Sequence, residues 1–240
     1  MHEDLSRDLP QMIKEGKETL PPAHERPLLV CKPQEIEPWR VFQIMSEFVE
    51  GFDVIQKFGL AATIFGSARA SFEHSIYQQA EDLASRLAKK GFAIITGGSL
   101  GVMQAANKGA YEAGGASIGL NIRLPDGQQD NHYLTQRFEF EHFFVRKVML
   151  TYASEIYIYF PGGFGTLDEF FEVVTLVQTK KIRKIPILLF GREYWTPLTA
   201  LIKNELFEKH KAIDESDMDL YQIVDSVDEA MAYIVANVQC

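Results

Sequence analysis

The string Tyr159-Phe160-Pro161-Gly162-Gly163-Phe164-Gly165-Thr166-Leu167-Asp168-Glu169 leaves few folds open to this chain. It follows an apolar run of strand length, Ile156 to Phe160, and opens a helix-like run from Leu167 to Gln178. A strand that turns through three glycines into a helix is the building unit of an α/β sheet, because glycine lets the backbone pass where a Cβ would collide. Thr166 is expected to cap the helix, and free N–H groups at a helix start attract anions, phosphate above all. Asp168 and Glu169 place carboxylates in the first turn, beside whatever the glycines hold. A phosphate cradle next to an acid points to chemistry on a nucleotide or sugar phosphate.

The rest of the chain repeats the theme. Short apolar runs over 60–65, 92–96, 116–121, 138–140, 155–160 and 185–190 alternate with helical spacings over 74–90, 100–113, 141–153, 167–180, 193–209 and 226–238. A further short strand is expected near Ile223-Val224. Strands that are apolar throughout predict burial on both faces, hence a doubly wound, mainly parallel sheet in a Rossmann-like, three-layer αβα arrangement. Ligands of such sheets collect beyond the carboxyl ends of the strands. Gly66-Ser67, Gly97-Gly98-Ser99 and the 161–166 turn all fall at such ends. Upstream, Val41, Phe42, Ile44, Met45, Phe48, Val49, Phe52 and Ile55 recur at helical spacing, so an amphipathic helix packs there on the body or on a partner. Residues 1–38, charged and carrying Pro10, Pro21, Pro22, Pro27, Pro33 and Pro38, read as an N-terminal arm, and 39–240 as one domain.

Composition narrows the function. A formal net charge of -9 argues against a duplex-binding surface, which is normally basic, but not against a small anion held by local groups. Cys31 and Cys240 give neither metal-ligand spacing nor a disulfide framework, so no metal is expected and a reducing, cytoplasmic setting fits best. The acidic start lacks the apolar core of a secretory signal, and no apolar run approaches the roughly 20 residues that span a bilayer. No Lys-Ser or Lys-Thr follows the glycine loop, as a Walker motif needs, and no G-x-G-x-x-G occurs. Redox chemistry with a bound dinucleotide is therefore not expected.

Four strings in order, Gly66-Ser67-Ala68-Arg69, Thr96-Gly97-Gly98-Ser99-Leu100-Gly101-Val102-Met103, Arg146-Lys147-x-Met149 and Pro161 to Glu169, resemble those of the Lonely Guy family over roughly residues 40–238. The resemblance implies a Rossmann-like hydrolase that cleaves the N-glycosidic bond of nucleoside 5′-monophosphates, cytokinin riboside monophosphate or AMP, to free base and ribose 5-phosphate. It implies no cofactor, and a homodimer or higher homo-oligomer with shared sites. Arg146 and Glu169 fall on the family's catalytic positions. Gly66, Ser67, Gly97, Gly98, Ser99, Lys147, Gly162, Gly163, Phe164, Gly165, Thr166, Leu167, Asp168 and Thr175 fall on phosphate- or nucleotide-binding positions. The chain departs from plant-like members at Phe144-Val145, where they carry Met-His, and over 125–132, which lacks an acid that many relatives carry near there; both bear on base selectivity.

These residue types suit the chemistry. Breaking the ribosyl–base bond builds positive charge at C1′, which a Glu169 carboxylate stabilises while it orients water. Arg146 is permanently charged, so its expected role is electrostatic. The phosphate is expected on the amides of Gly162, Gly163, Gly165 and Thr166. The proton for the leaving base has no marked source; His142 is a candidate, against a plain surface or partner-facing role. Phe138, Phe140, Phe143 and Phe144 read as core or dimer packing, Lys180, Lys181, Arg183 and Lys184 as a solvated helix end, and 214–219 as an acidic loop. The alternative from another class is a non-catalytic carrier of a nucleotide or molybdenum cofactor on the same scaffold, which needs neither Arg146 nor Glu169.

Overall fold

The computed structural model describes residues 37–69, 73–125 and 131–238. Apart from its last two residues the expected N-terminal arm lies outside this range, as do both cysteines and most of the 125–132 stretch. From Pro38 onward the chain forms a seven-stranded sheet. Its strands are β1 (Ala61–Phe65), β2 (Ala93–Thr96), β3 (Ser117–Ile122), β4 (Gln136–Phe140), β5 (Ile156–Tyr159), β6 (Ile187–Phe190) and β7 (Gln222–Val224). Their order is β4-β3-β2-β1-β5-β6-β7, and every neighbouring pair is parallel. The helices are α1 (Pro38–Ile55), α2 (His74–Lys89), α3 (Val102–Glu112), α4 (Phe143–Tyr152), α5 (Phe164–Gln178), α6 (Arg192–Leu201) and α7 (Val227–Asn237). Among the described residues no helix is long and apolar enough to cross a membrane.

The two-sided burial expected from the sequence is present. Every residue of β1, β2, β3, β5 and β6 is buried. Alternate side chains sort into two cores, as the period-two geometry of a strand requires. Phe65, Ile95, Tyr157, Tyr159 and Leu189 pack with residues of α1, α4, α5 and α6, while Ile64, Ile94, Ile158 and Leu188 pack with α2, α3 and α7. The first core grips α5 through Phe170, whose ring lies 5.5 Å from Tyr159 and 5.6 Å from Trp195. Truncating a buried ring of this kind costs about 3–5 kcal/mol, so the helix that carries Glu169 is held by a rigid aromatic wedge.

Strand order reverses between β1 and β5, and the loops that leave these two strands part to either side of the sheet. Doubly wound folds place their ligands at such a point. The glycine turn after β5 and the Gly66-Ser67 turn after β1 meet there, with Ser67 N donating to Pro161 O at 3.0 Å.

Three expectations need correction. Helix α5 begins at Phe164, with Gly163 as its N-cap, so Thr166 is the third helical residue and not the cap. Extended Gly163 (φ −101°, ψ −157°) already offers its carbonyl to the amides of Thr166 and Leu167, which starts the helix three residues early. The helix expected over 193–209 is α-helical only to Leu201, and Ile202–Lys209 continues with wider π-type spacing, His210 N donating five residues back to Glu205 O. Within the expected acidic loop, Glu215–Asp219 is a 3-10 turn closed by a reciprocal cap between Asp214 and Asp217.

Candidate active site

A cleft of about 680 Å³ opens where the loops after β1, β2 and β5 converge. Its floor is built from tight backbone approaches. A Cβ on Gly162 would lie 2.0 Å from Thr166 Oγ1, so only glycine fits under the first turn of α5. Tyr194 Oη donates to Gly162 O at 2.6 Å and Tyr159 Oη to Glu169 O at 3.1 Å, pinning the turn from below. The amides of Gly162, Gly163, Phe164 and Gly165 have no hydrogen-bond partner among the described residues, whereas that of Thr166 is spent on Gly163 O. Four free donors at a helix N-terminus form an anion cradle. It differs from the expected set by exchanging Thr166 for Phe164 and reflects the earlier start of the helix.

Arg146 enters from α4 on the opposite wall. Its Nε donates to Leu120 O at 2.7 Å and its Nη2 to Gly97 O at 3.3 Å, so carbonyls near the ends of β3 and β2 fix the plane of the guanidinium. A Cβ on Gly97 would fall 2.3 Å from Nη2, and its absence lets the guanidinium lie flat on the loop. Burial pushes the Arg146 pKa down, with the Glu169 charge opposing, and the group stays cationic at any working pH.

Glu169 lines the same cleft from α5 and is only 5% exposed. Its Oε2 is buried without a hydrogen-bond partner. Burial pushes the carboxyl up to about 8; Lys147 and Arg146 pull it down, while Glu172 and Asp168 push it further up. At neutral pH burial therefore favours the neutral acid at Glu169.

The remaining expected site residues divide into two groups. Gly66, Ser67, Gly97, Ser99, Gly163, Phe164, Gly165 and Thr166 line the cleft, and Gly98 turns just behind it with φ +71°. Lys147, Leu167, Asp168 and Thr175 do not line it. Lys147 follows Arg146 by one helical step of about 100°, so the two side chains leave α4 in different directions. Its Nζ instead sits 2.5 Å from Asp168 Oδ2 and 3.2 Å from Glu172 Oε2, clamping α4 to α5. Leu167 packs against the core, and Thr175 is exposed about 13 Å further along α5 than Thr166.

His142, weighed as a leaving-group acid against a surface or partner-facing role, does not line the cleft. It caps α4 and faces α1, where its Nδ1 lies 2.9 Å from Glu47 Oε1. Glu47 also accepts from the backbone amides of His142 at 3.1 Å and Glu141 at 3.3 Å. Glu47 is thus a part of the site's scaffold that the sequence did not mark; it lies some 95 residues upstream on a stripe read as apolar. Apolar walls also went unmarked: Met103, Leu124, Phe143 and Leu150 line the cleft, and Phe143 is half exposed with the Arg146 guanidinium 6.0 Å from its ring. Phe140, by contrast, is fully buried in the core as expected. Among the described residues no cluster of three or more His, Cys, Asp or Glu could hold a metal.

Comparison with known proteins gives this geometry relatives. Residues 103–234, more than half of the chain, match the family model described as "Possible lysine decarboxylase". Over 154 residues the chain is 27% identical to the cytokinin riboside 5′-monophosphate phosphoribohydrolase of Rhodococcoides fascians, covering 62% of this chain and 76% of that one. A protein of the same name from Arabidopsis thaliana is 29% identical over 155 residues, covering 63% of this chain and 71% of its own length. Among solved structures, the molybdenum cofactor carrier protein of Chlamydomonas reinhardtii superposes with a TM-score of 0.54 at 24% identity, over 74% of this chain and 97% of its own. The molybdenum cofactor binding protein of Rippkaea orientalis does so at 0.54 and 20%, over 74% and 94%. These two likenesses are of fold. With a matching family model, phosphoribohydrolases among its relatives and the family's motifs gathered around one switch-point cleft, the chain belongs to the Lonely Guy family, whose model carries the description of a possible lysine decarboxylase.

Proposed function

We propose that the protein hydrolyses the N-glycosidic bond of nucleoside 5′-monophosphates, AMP or a cytokinin riboside monophosphate, to the free base and ribose 5-phosphate. The observation that carries the reading is the meeting of Arg146 and Glu169, 23 positions apart in sequence, in one cleft whose floor is an anion cradle. The phosphate sits on the free amides of 162–165, the ribose lies over Glu169 and the base against the apolar wall of Met103, Leu124 and Phe143. Glu169 enters with its proton at neutral pH, because burial holds its pKa near 8. As the C1′–N bond breaks, its electron pair leaves with the base, and the Glu169 proton neutralises it. The carboxylate left behind faces the cationic C1′, as an oxocarbenium-like transition state demands. Water adds at C1′ and returns a proton to Glu169, which closes the cycle. Arg146, fixed by two carbonyls, supplies a preorganised positive charge without reorganising.

The test is incubation of the pure protein with AMP and isopentenyladenosine monophosphate, with free base followed by chromatography. Release of base that declines above pH 8 supports the reading; no base from any nucleoside monophosphate after hours at micromolar enzyme refutes it. The carrier alternative is supported by fold likeness alone and leaves the buried acid without a task. The proposal takes the protein as a cytoplasmic homodimer, with the exposed Phe42, Met45, Val49 and Phe52 of α1 as the shared face. Sedimentation velocity, with Phe42→Glu and Val49→Glu as the dissociating variants, checks the dimer.

A further inference from the structure

The charge around the cleft is unevenly committed. Lys147 is locked to two carboxylates outside it, and Arg146 is tied to backbone carbonyls at the Glu169 end. Among the described residues one other cation lines the cavity, Arg69, in the turn after β1. Its backbone is fixed on both sides: the amide donates to Ser67 Oγ at 3.1 Å, and the carbonyl accepts from Tyr77 Oη at 2.8 Å. Its exposed guanidinium has no hydrogen bond or ion pair among the described residues. A pinned main chain with an uncommitted cationic head is the arrangement of a ligand arm.

Arg69 also stands next to the cradle. Ser67 N donates to Pro161 O at the edge of the glycine turn, and the Arg69 Cα, two residues on, lies within roughly 7 Å of the Ser67 Cα, so an arginine side chain reaches the cradle. A phosphate monoester carries a charge of about −1.5 to −2 at pH 7, against about +0.5 offered by a helix N-terminus. Asp168 and Glu172, in the second and third turns of α5, add negative charge nearby, and the whole chain is net negative. The cradle alone leaves a dianion undercompensated. A planar guanidinium that can take two phosphate oxygens at once supplies the missing charge.

We propose that Arg69 binds the outer oxygens of the substrate's 5′-phosphate and makes the site selective for the phosphorylated nucleotide over the nucleoside. This deepens the proposed function and takes its ligand from it. The experiment measures dissociation constants by calorimetry in a Glu169→Gln background, so that no ligand turns over. AMP, ribose 5-phosphate and adenosine are titrated into that parent and into its Arg69→Gln and Arg69→Lys derivatives. Arg69→Gln weakens AMP and ribose 5-phosphate about 10- to 100-fold and leaves adenosine within about two-fold, the loss expected for one charge-assisted pair. Arg69→Lys restores part of the affinity, and the salt dependence of AMP binding becomes shallower without the arginine. Melting temperatures of the three proteins agree, since the side chain holds nothing in the fold. Unchanged AMP binding in Arg69→Gln, an equal loss for adenosine, or no binding of phosphate-bearing ligands by the parent overturns the assignment. Phosphate-selective binding that depends on Arg69, in a wild-type protein that releases no base, keeps this inference and removes the hydrolase reading instead.

Discussion

Replacing Glu169 by Gln should stabilise the protein in alkali and leave it unchanged in acid. The carboxyl is 5% exposed, one of its oxygens has no partner, and burial pushes its pKa to about 8 from an ordinary value near 4.5. Between those values the folded protein keeps a proton that the unfolded chain has released. The unfolded state then binds fewer protons, so stability falls as pH rises, by at most about 1.4 kcal/mol per unit. The contribution is fully present below 4.5 and gone by 8. Over the whole interval the ceiling is about 5 kcal/mol, and relaxation around a buried charge brings the working figure to about 2–4 kcal/mol. Glutamine has the same shape and no charge to bury. For a chain of this length about 2–4 °C of melting temperature corresponds to each kcal/mol, so the variant should melt about 5–10 °C above the parent at pH 8.5 and within about 2 °C of it at pH 5. Circular dichroism melts at fixed ionic strength across pH 5 to 9 measure the difference. Glu139 and Asp225, whose pKa values are lowered by Arg123 and by Arg192 respectively, contribute with the opposite sign, but they cancel when variant and parent are compared. A gap that stays constant with pH would mean that Glu169 titrates normally, and the acid role assigned to it would lose its basis.

Gly162→Ala would place a methyl group 2.0 Å from Thr166 Oγ1 and 3.1 Å from Ser67 N, so it should displace the start of α5 and lower turnover at least about 100-fold; base release at parental rate would contradict the cradle. Glu47→Ala removes the acceptor of two backbone amides and the His142 ring at the head of the helix that carries Arg146. We expect a loss of about 1–3 kcal/mol in stability and a fall in kcat larger than the change in KM, with Glu47→Gln recovering part of both; melts and steady-state kinetics decide. Lys180 holds φ +57° just past the end of α5, where glycine is favoured, so Lys180→Gly should raise stability by about 0.5–1 kcal/mol in urea titration, and a loss would show that its side chain holds the turn.

Strands β1, β2, β3, β5 and β6 were legible because each is a short, largely apolar run buried on both faces, which left no alternation to mislead, whereas the edge strands β4 and β7 mix polar and apolar residues. Boundaries slipped where a local preference met a stronger geometric fact. Thr166 is a good cap by type, but Gly163 takes the extended backbone first and moves the helix back. Arg146 and Glu169 were found through their family motifs, since spacing alone cannot join α4 to α5 across a cleft. Lys147 shows the opposite failure: it stands in the same motif, yet helical rotation turns it toward Asp168. Glu47 and Tyr194 lay beyond any local signal, because each acts on a carbonyl or amide brought near only by the folded sheet.

The contact from Ser67 to Pro161 ties together turns that the ribosome makes almost a hundred residues apart. Until β5 has docked beside β1, the emerging polypeptide has an arginine helix and a serine turn but nothing for an anion to rest on. Competence is therefore conferred late and all at once, when long-range parallel pairing, the slow part of such topologies, is finished. A shortened product that stops before residue 160 would keep much of the sheet's first wing and have no place to bind.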